Sequence, residues 1–192
     1  MNETFEQYVA RILSYAGEDG RVHRTMLKRT PAALTRRIAG VPRRRLTRPP
    51  RPGKWSVRDI LAHLSEVELL WGTRMRMVLG ENGVLIVGMD QAVWARRYGR
   101  IDPRRALATF TELRRANVEF LAGLRRPDYL RWGKHSQFGR LTIARMVALL
   151  SGHDINHSRQ IQAILSPASS SEPRSSARRS RRLPNGSPRD VR

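Results

Sequence analysis

Apolar residues recur at helical spacing in five stretches of the chain, about Glu3 to Tyr15, Thr30 to Ala39, Val57 to Leu79, Pro103 to Leu124 and Thr142 to Leu165. No stretch alternates apolar and polar residues as a half-buried strand does. The ends of the stretches carry matching chemistry. Ser56 stands as an N-cap before the third, Pro31 and Pro103 occupy first-turn positions, and Gly40 follows Ala39 as a stop. The pattern predicts an all-α fold with four substantial helices. Three connections, Val41 to Trp55, Gly80 to Ile101 and Arg125 to Leu141, are too long for plain bundle turns, so simple alternation of helix direction does not follow. The second connection carries Trp94, Tyr98 and the apolar run Val84 to Val87, which are expected to pack as a lid on the bundle.

After Ser166 the pattern stops. Residues 167–192 are rich in Ser, Pro and Arg, with Leu183 and Val191 as the only large aliphatic residues. That is too little apolar surface to offset the entropy of ordering, so a helical domain over 1–166 and a disordered basic tail over 167–192 are expected.

Two faces of the bundle carry histidine. With about 100° per residue on the last helix, His157 lies about 40° from His153, inside the stripe formed by Ile143, Met146, Leu150, Ile161 and Ile164. Arg145, Gly152, Asn156 and Arg159 fall on the other side. On the third stretch His63 shares a face with Ile60, Val67, Leu70 and Trp71, so all three imidazoles point toward the core. A single inward histidine is ordinarily a hydrogen-bonded core residue. Three of them among aliphatic stripes, with few polar partners in sight, point instead to a shared divalent metal ion. Asp59, one turn before His63, and Gln160, near His157, are candidates to orient a ligand imidazole, with solvated rim positions as the alternative. His23 is expected at the surface, and His135, between Trp132 and Phe138, in a structural role.

Composition narrows the chemistry further. The chain has no cysteine, so any metal is held by imidazole or oxygen. Three imidazoles suit zinc or nickel best, with iron or manganese as alternatives. The peptidase motif built on His-x-x-x-His needs glutamate directly after the first histidine; Asp154 stands there, and peptidase chemistry is disfavoured. The net charge of +21 invites a nucleic-acid reading. However, 34 of the 37 basic residues are arginine, spread along the whole chain, which codon usage alone can produce, so nucleic acid is not the expected partner. No apolar run approaches the roughly 18 to 20 residues that cross a bilayer, and the N-terminus lacks a signal-like segment, so a cytoplasmic protein without membrane association is expected.

The stretch from Pro49 through Trp55, Ser56, Asp59 and His63 to Leu64 resembles the first histidine segment of the DinB superfamily. The stretch Gly152, His153, Asp154, Ile155, Asn156, His157, Ser158, Arg159, Gln160, Ile161 resembles its second. With Asp90, Gln91 and Trp94 between them, the resemblance spans about residues 5 to 165. It implies a four-helix bundle of up-down-down-up order, often a homodimer, with a divalent metal on His63, His153 and His157. It also implies a small-molecule substrate and, in some members, a low-molecular-weight thiol as cosubstrate for a transferase or isomerase. The reading is therefore a metal-dependent enzyme of thiol-transferase or hydrolase type with an open coordination position. A non-catalytic metal-binding or structural bundle is the alternative. The basic tail has no counterpart in the family pattern.

Overall fold

The computed structural model describes residues 3–17 and 19–166. The tail expected over 167–192 lies outside the described residues. Five long helices carry the fold: α1 (Phe5–Ala16), α2 (Gly20–Ile38), α4 (Val57–Gly80), α6 (Pro103–Ala122) and α7 (Ile143–Leu165). Short helices α3 (Arg43–Thr47) and α5 (Gln91–Ala95) lie in the first two long connections. Most starts are capped as their sequences require. Thr4 and Ser56 close capping boxes with Gln7 and Asp59, and Asp19, Asp102 and Thr142 accept from the first-turn amides of α2, α6 and α7.

Helices α2, α4, α6 and α7 form the bundle, and their side-chain register fixes their directions. Glu68 and Arg76 of α4 meet Arg114 and Asn117 of α6, in the same chain order, so these two helices run parallel. His63 of α4 meets His153 of α7, while Val67, Met75 and Val78 share a core with Ile143, Met146 and Leu150, so α7 runs against both. Leu27 lies at Arg114, and Leu34 and Ile38 lie with Leu107 and Phe110, so α2 runs against α6. The order is up-down-down-up. Parallel neighbours cannot be joined by a tight turn, and this is why the connection between α4 and α6 is long.

Helix α1 lies along the side of α7 that Gly152, Asn156 and Arg159 mark. A Cβ on Gly152 would stand 1.9 Å from the carbonyl oxygen of Ile12, so the two backbones touch only because residue 152 has no side chain. Arg11 donates to Asn156 Oδ1 at 2.8 Å, and Arg159 covers the ring of Tyr15.

Several expectations are corrected. Helix α2 begins ten residues before Thr30, so Pro31 is inside it rather than in its first turn. Proline leaves the carbonyl four residues earlier without its helical donor. Here that carbonyl belongs to Leu27, and Arg114 Nη1 fills the vacancy at 3.1 Å. His23 is not at the surface: it is buried on α2 and bonds the Gly17 carbonyl oxygen at 2.9 Å. Strands do occur. A three-stranded sheet pairs β1 (Leu85–Ile86) parallel to β2 (Trp132–His135), which is antiparallel to β3 (Gly139–Thr142). The β2–β3 loop of Ser136, Gln137 and Phe138 returns through Gly139 at φ 64°, as three-residue hairpins require. At two to four residues, these strands are too short to show a period in the sequence. Of the expected lid, Ile86 and Tyr98 are buried and Val84 and Trp94 pack on the core, but Leu85 and Val87 face outward.

Candidate metal centre

His63 lies on the second turn of α4, which starts where Ser56 and Asp59 cap each other, and His153 and His157 lie one turn apart on α7. The antiparallel crossing of the two helices brings the rings together. Nε2 of His153 is 2.9 Å from Nε2 of His63 and 3.1 Å from Nε2 of His157. One ring nitrogen from each lies within 4.8 Å of those from the other two. Nitrogens bound at about 2.0 to 2.1 Å in a tetrahedral site are roughly 3.3 Å apart, close to the two separations from His153.

The protons on the rings are directed by what touches their other edges. His157 Nδ1 is 2.9 Å from Gln160 Oε1, an acceptor, so Nδ1 carries the proton and Nε2 presents a lone pair. The Tyr98 hydroxyl stands 3.5 Å from His63 Nδ1. His153 Nδ1 is enclosed and has no partner among the described residues. Burial holds His63 and His153 well below the ordinary imidazole range and lowers His157 to about 4. Three neutral rings thus turn their Nε2 edges toward one point, where lone pairs repel unless a proton or cation lies between them. Trp55 closes the outer side, 4.9 Å from the His63 ring and stacked at 6.3 Å on that of His157.

This geometry agrees with the kinship of the chain, since the profile of the DinB superfamily matches residues 26–161. The chain belongs to the DinB superfamily. A relative from Oceanobacillus iheyensis named "Putative metal-dependent hydrolase" is 24% identical over 115 residues, covering 59% of this chain and 67% of that protein. The solved structure of YfiT from Bacillus subtilis, described as "a probable metal-dependent hydrolase with an unusual four-helix bundle topology", has a TM-score of 0.71. It is 23% identical and the match covers 77% of this chain and 86% of that one. At that identity the likeness speaks for the shared fold.

In this DinB chain Gln160 stands where its helix position put it, against His157. Asp59 does not orient an imidazole: its carboxylate accepts from the Ser56 amide and hydroxyl and from Arg58. The signal was present, since Ser-x-x-Asp at a helix start is a capping box. Asp154, beside His153, is buried with Arg114 and Glu68. Arg114 donates to both oxygens of Asp154 and, at 2.7 Å, to Glu68 Oε2. Burial depresses this guanidinium, and the two carboxylates more than reverse the effect. The triad pins α7 against α4 and α6 at the level of the histidines. Arg114 lies on the buried stripe of α6 with Leu107, Phe110 and Leu121, so its helical angle alone marks it as inward-facing.

His63 and His153 also border a cavity of about 150 Å³ between α1, α4, α7 and the sheet. Val67, Leu70, Trp71, Phe138, Leu149 and Leu150 are among the residues of its wall. His135, expected in a structural role, lines the same cavity from β2 and lies outside the histidine cluster.

Proposed function

We propose that this protein is a divalent-metal-dependent enzyme in which His63, His153 and His157 hold the ion and an open coordination position faces the adjoining cavity. The observation that carries this reading is the convergence of three neutral imidazoles, two of them bordering a cavity that can admit a small molecule. When bound, the metal supplies a Lewis acid that lowers the pKa of a water or a thiol toward neutrality. Zinc or nickel is the preferred ion for an all-imidazole set.

The chain's own residues do the rest. Gln160 holds His157 in the tautomer that presents Nε2. Trp55 shields the outer edge from water, leaving the cavity as the route of approach. Among the described residues no carboxylate belongs to the histidine cluster. The relatives named for metal-dependent hydrolysis favour hydrolysis, and transfer of a low-molecular-weight thiol is the second chemistry to assay.

Untagged protein is expected to carry about one divalent ion per site by elemental analysis. His63→Ala, His153→Ala and His157→Ala should each release it and lower stability, with the double and triple changes adding little, because one lost ligand already removes most of the affinity. Stoichiometric metal in His157→Ala, or three penalties that simply sum, would overturn the reading.

A further inference from the structure

The cavity beside the histidines is not uniformly apolar. Arg74, on α4 three turns beyond His63, lines it while only 5% exposed. Buried arginines ordinarily pair with carboxylates, as Arg114 does twice. Arg74 pairs with none among the described residues: its one hydrogen bond is from Nη2 to the Val87 carbonyl oxygen at 2.7 Å, and its guanidinium lies over Trp71 at 5.4 Å. Burial without an opposing charge lowers its pKa. A cation left in this state is costly unless something else supplies the anion.

A second, independent observation lies in the same wall. His135, 3% exposed, accepts at Nδ1 from the amides of Gln137 at 3.0 Å and Phe138 at 3.4 Å. Its proton therefore sits on Nε2, and that donor is buried without a partner among the described residues. The two unmet groups are a cation and an N–H donor, so what they lack is an anionic oxygen acceptor. Gln91 and Gln137 add amides to the same wall, while Val67, Leu70 and Leu149 line its apolar part.

We infer that Arg74, with His135, forms an anion subsite for a carboxylate on the substrate or cosubstrate, whose reacting group reaches the histidine centre across the apolar wall. The inference rests on the proposed metal site for the second half of that statement, and on Arg74 and His135 alone for the first. The planar guanidinium suits a carboxylate, which it meets with two parallel hydrogen bonds. A cavity near 150 Å³ is the size that admits benzene in an engineered core, so it has room for a compact acid.

The test uses the full-length protein with its metal content recorded, benzoate as the probe and benzamide as its uncharged counterpart, both followed by calorimetric titration. Benzoate should bind at least about tenfold more tightly than benzamide, and Arg74→Gln should remove that preference while retaining metal. Arg74→Lys, which keeps the charge but not the two-point geometry, should keep part of it. Equal binding of the two probes by the unmodified protein would overturn the inference without use of any variant. So would full benzoate affinity in Arg74→Gln, since that is what coordination to the metal alone produces. Should the protein prove metal-free, the benzoate preference still reports on Arg74, so failure of the metal site and failure of the subsite are read separately.

Discussion

Gln160 holds one end of the proton arrangement at the candidate centre. Its Oε1, 2.9 Å from His157 Nδ1, accepts the proton that would otherwise be free to move to the edge facing the other two rings. Outer partners of this kind carry roughly a tenfold to hundredfold share of metal affinity. Gln160→Leu is therefore expected to weaken zinc binding by about that factor in a competition titration against a chelator. Because Gln160 is solvent-exposed, the midpoint of the chelated variant should match that of the chelated parent. An unchanged zinc affinity would mean that the contact orients nothing. Helical angle alone placed Gln160, because its neighbour is one turn away on the same helix. The same arithmetic failed for Asp59, whose side chain is claimed by the helix N-terminus. His63, His153 and His157 were legible because a polar residue inside an aliphatic stripe has few places to point. Arg74 carries the same signal, about 20° from His63 on the buried face of α4, whereas His135 lies on a strand too short to show a period.

At the scale of elements, Arg114 ties together four pieces of chain that the hydrophobic pattern alone would let slide. It bonds Glu68 on α4, Asp154 on α7 and the Leu27 carbonyl oxygen that Pro31 leaves without a donor on α2, and it packs over Phe110 on its own helix. Removing it leaves two carboxylates enclosed without a counter-charge. Arg114→Ala should therefore cost on the order of 3 to 5 kcal/mol in chemical denaturation. Replacing Arg114, Glu68 and Asp154 together by Met, Leu and Leu should cost much less than that single change, because no charge is then left unpaired. A triple variant weaker than Arg114→Ala would show that the triad contributes net attraction rather than register. The four bundle helices were legible in outline from their periodicity. The early start of α2 was not, because Pro31 reads as a helix beginning and Arg114, which makes it tolerable in an interior, is 83 positions further along the sequence. The sheet escaped for the opposite reason: strands this short carry no period to detect.

For the whole molecule, the buried histidines couple folding to pH. Burial holds His63 and His153 well below the ordinary imidazole value and takes His157 to about 4, whereas in the unfolded chain all three titrate near about 6.5. Between these limits the unfolded state binds more protons than the folded one, so stability rises with pH across that interval. It is fully present above about pH 6.5 and is lost as the pH falls toward 4. His135, lowered by burial and then by Arg74, acts in the same direction, while Glu66, raised by burial, acts against it. Three strongly buried imidazoles outweigh one partly buried carboxyl, so the net slope is positive. A bound ion steepens it, because only neutral imidazoles ligate and acid releases the metal along with the stability it adds. Denaturation midpoints of chelated protein should thus fall from pH 7 to pH 4.5, those of metal-loaded protein should fall further, and the two curves should meet at the acid end. His157→Asn should remove part of the slope in the chelated protein. A flat chelated profile over this interval would mean that the rings are hydrated in solution, and metal-loaded and chelated curves that coincide at pH 7 would mean that no ion is held there.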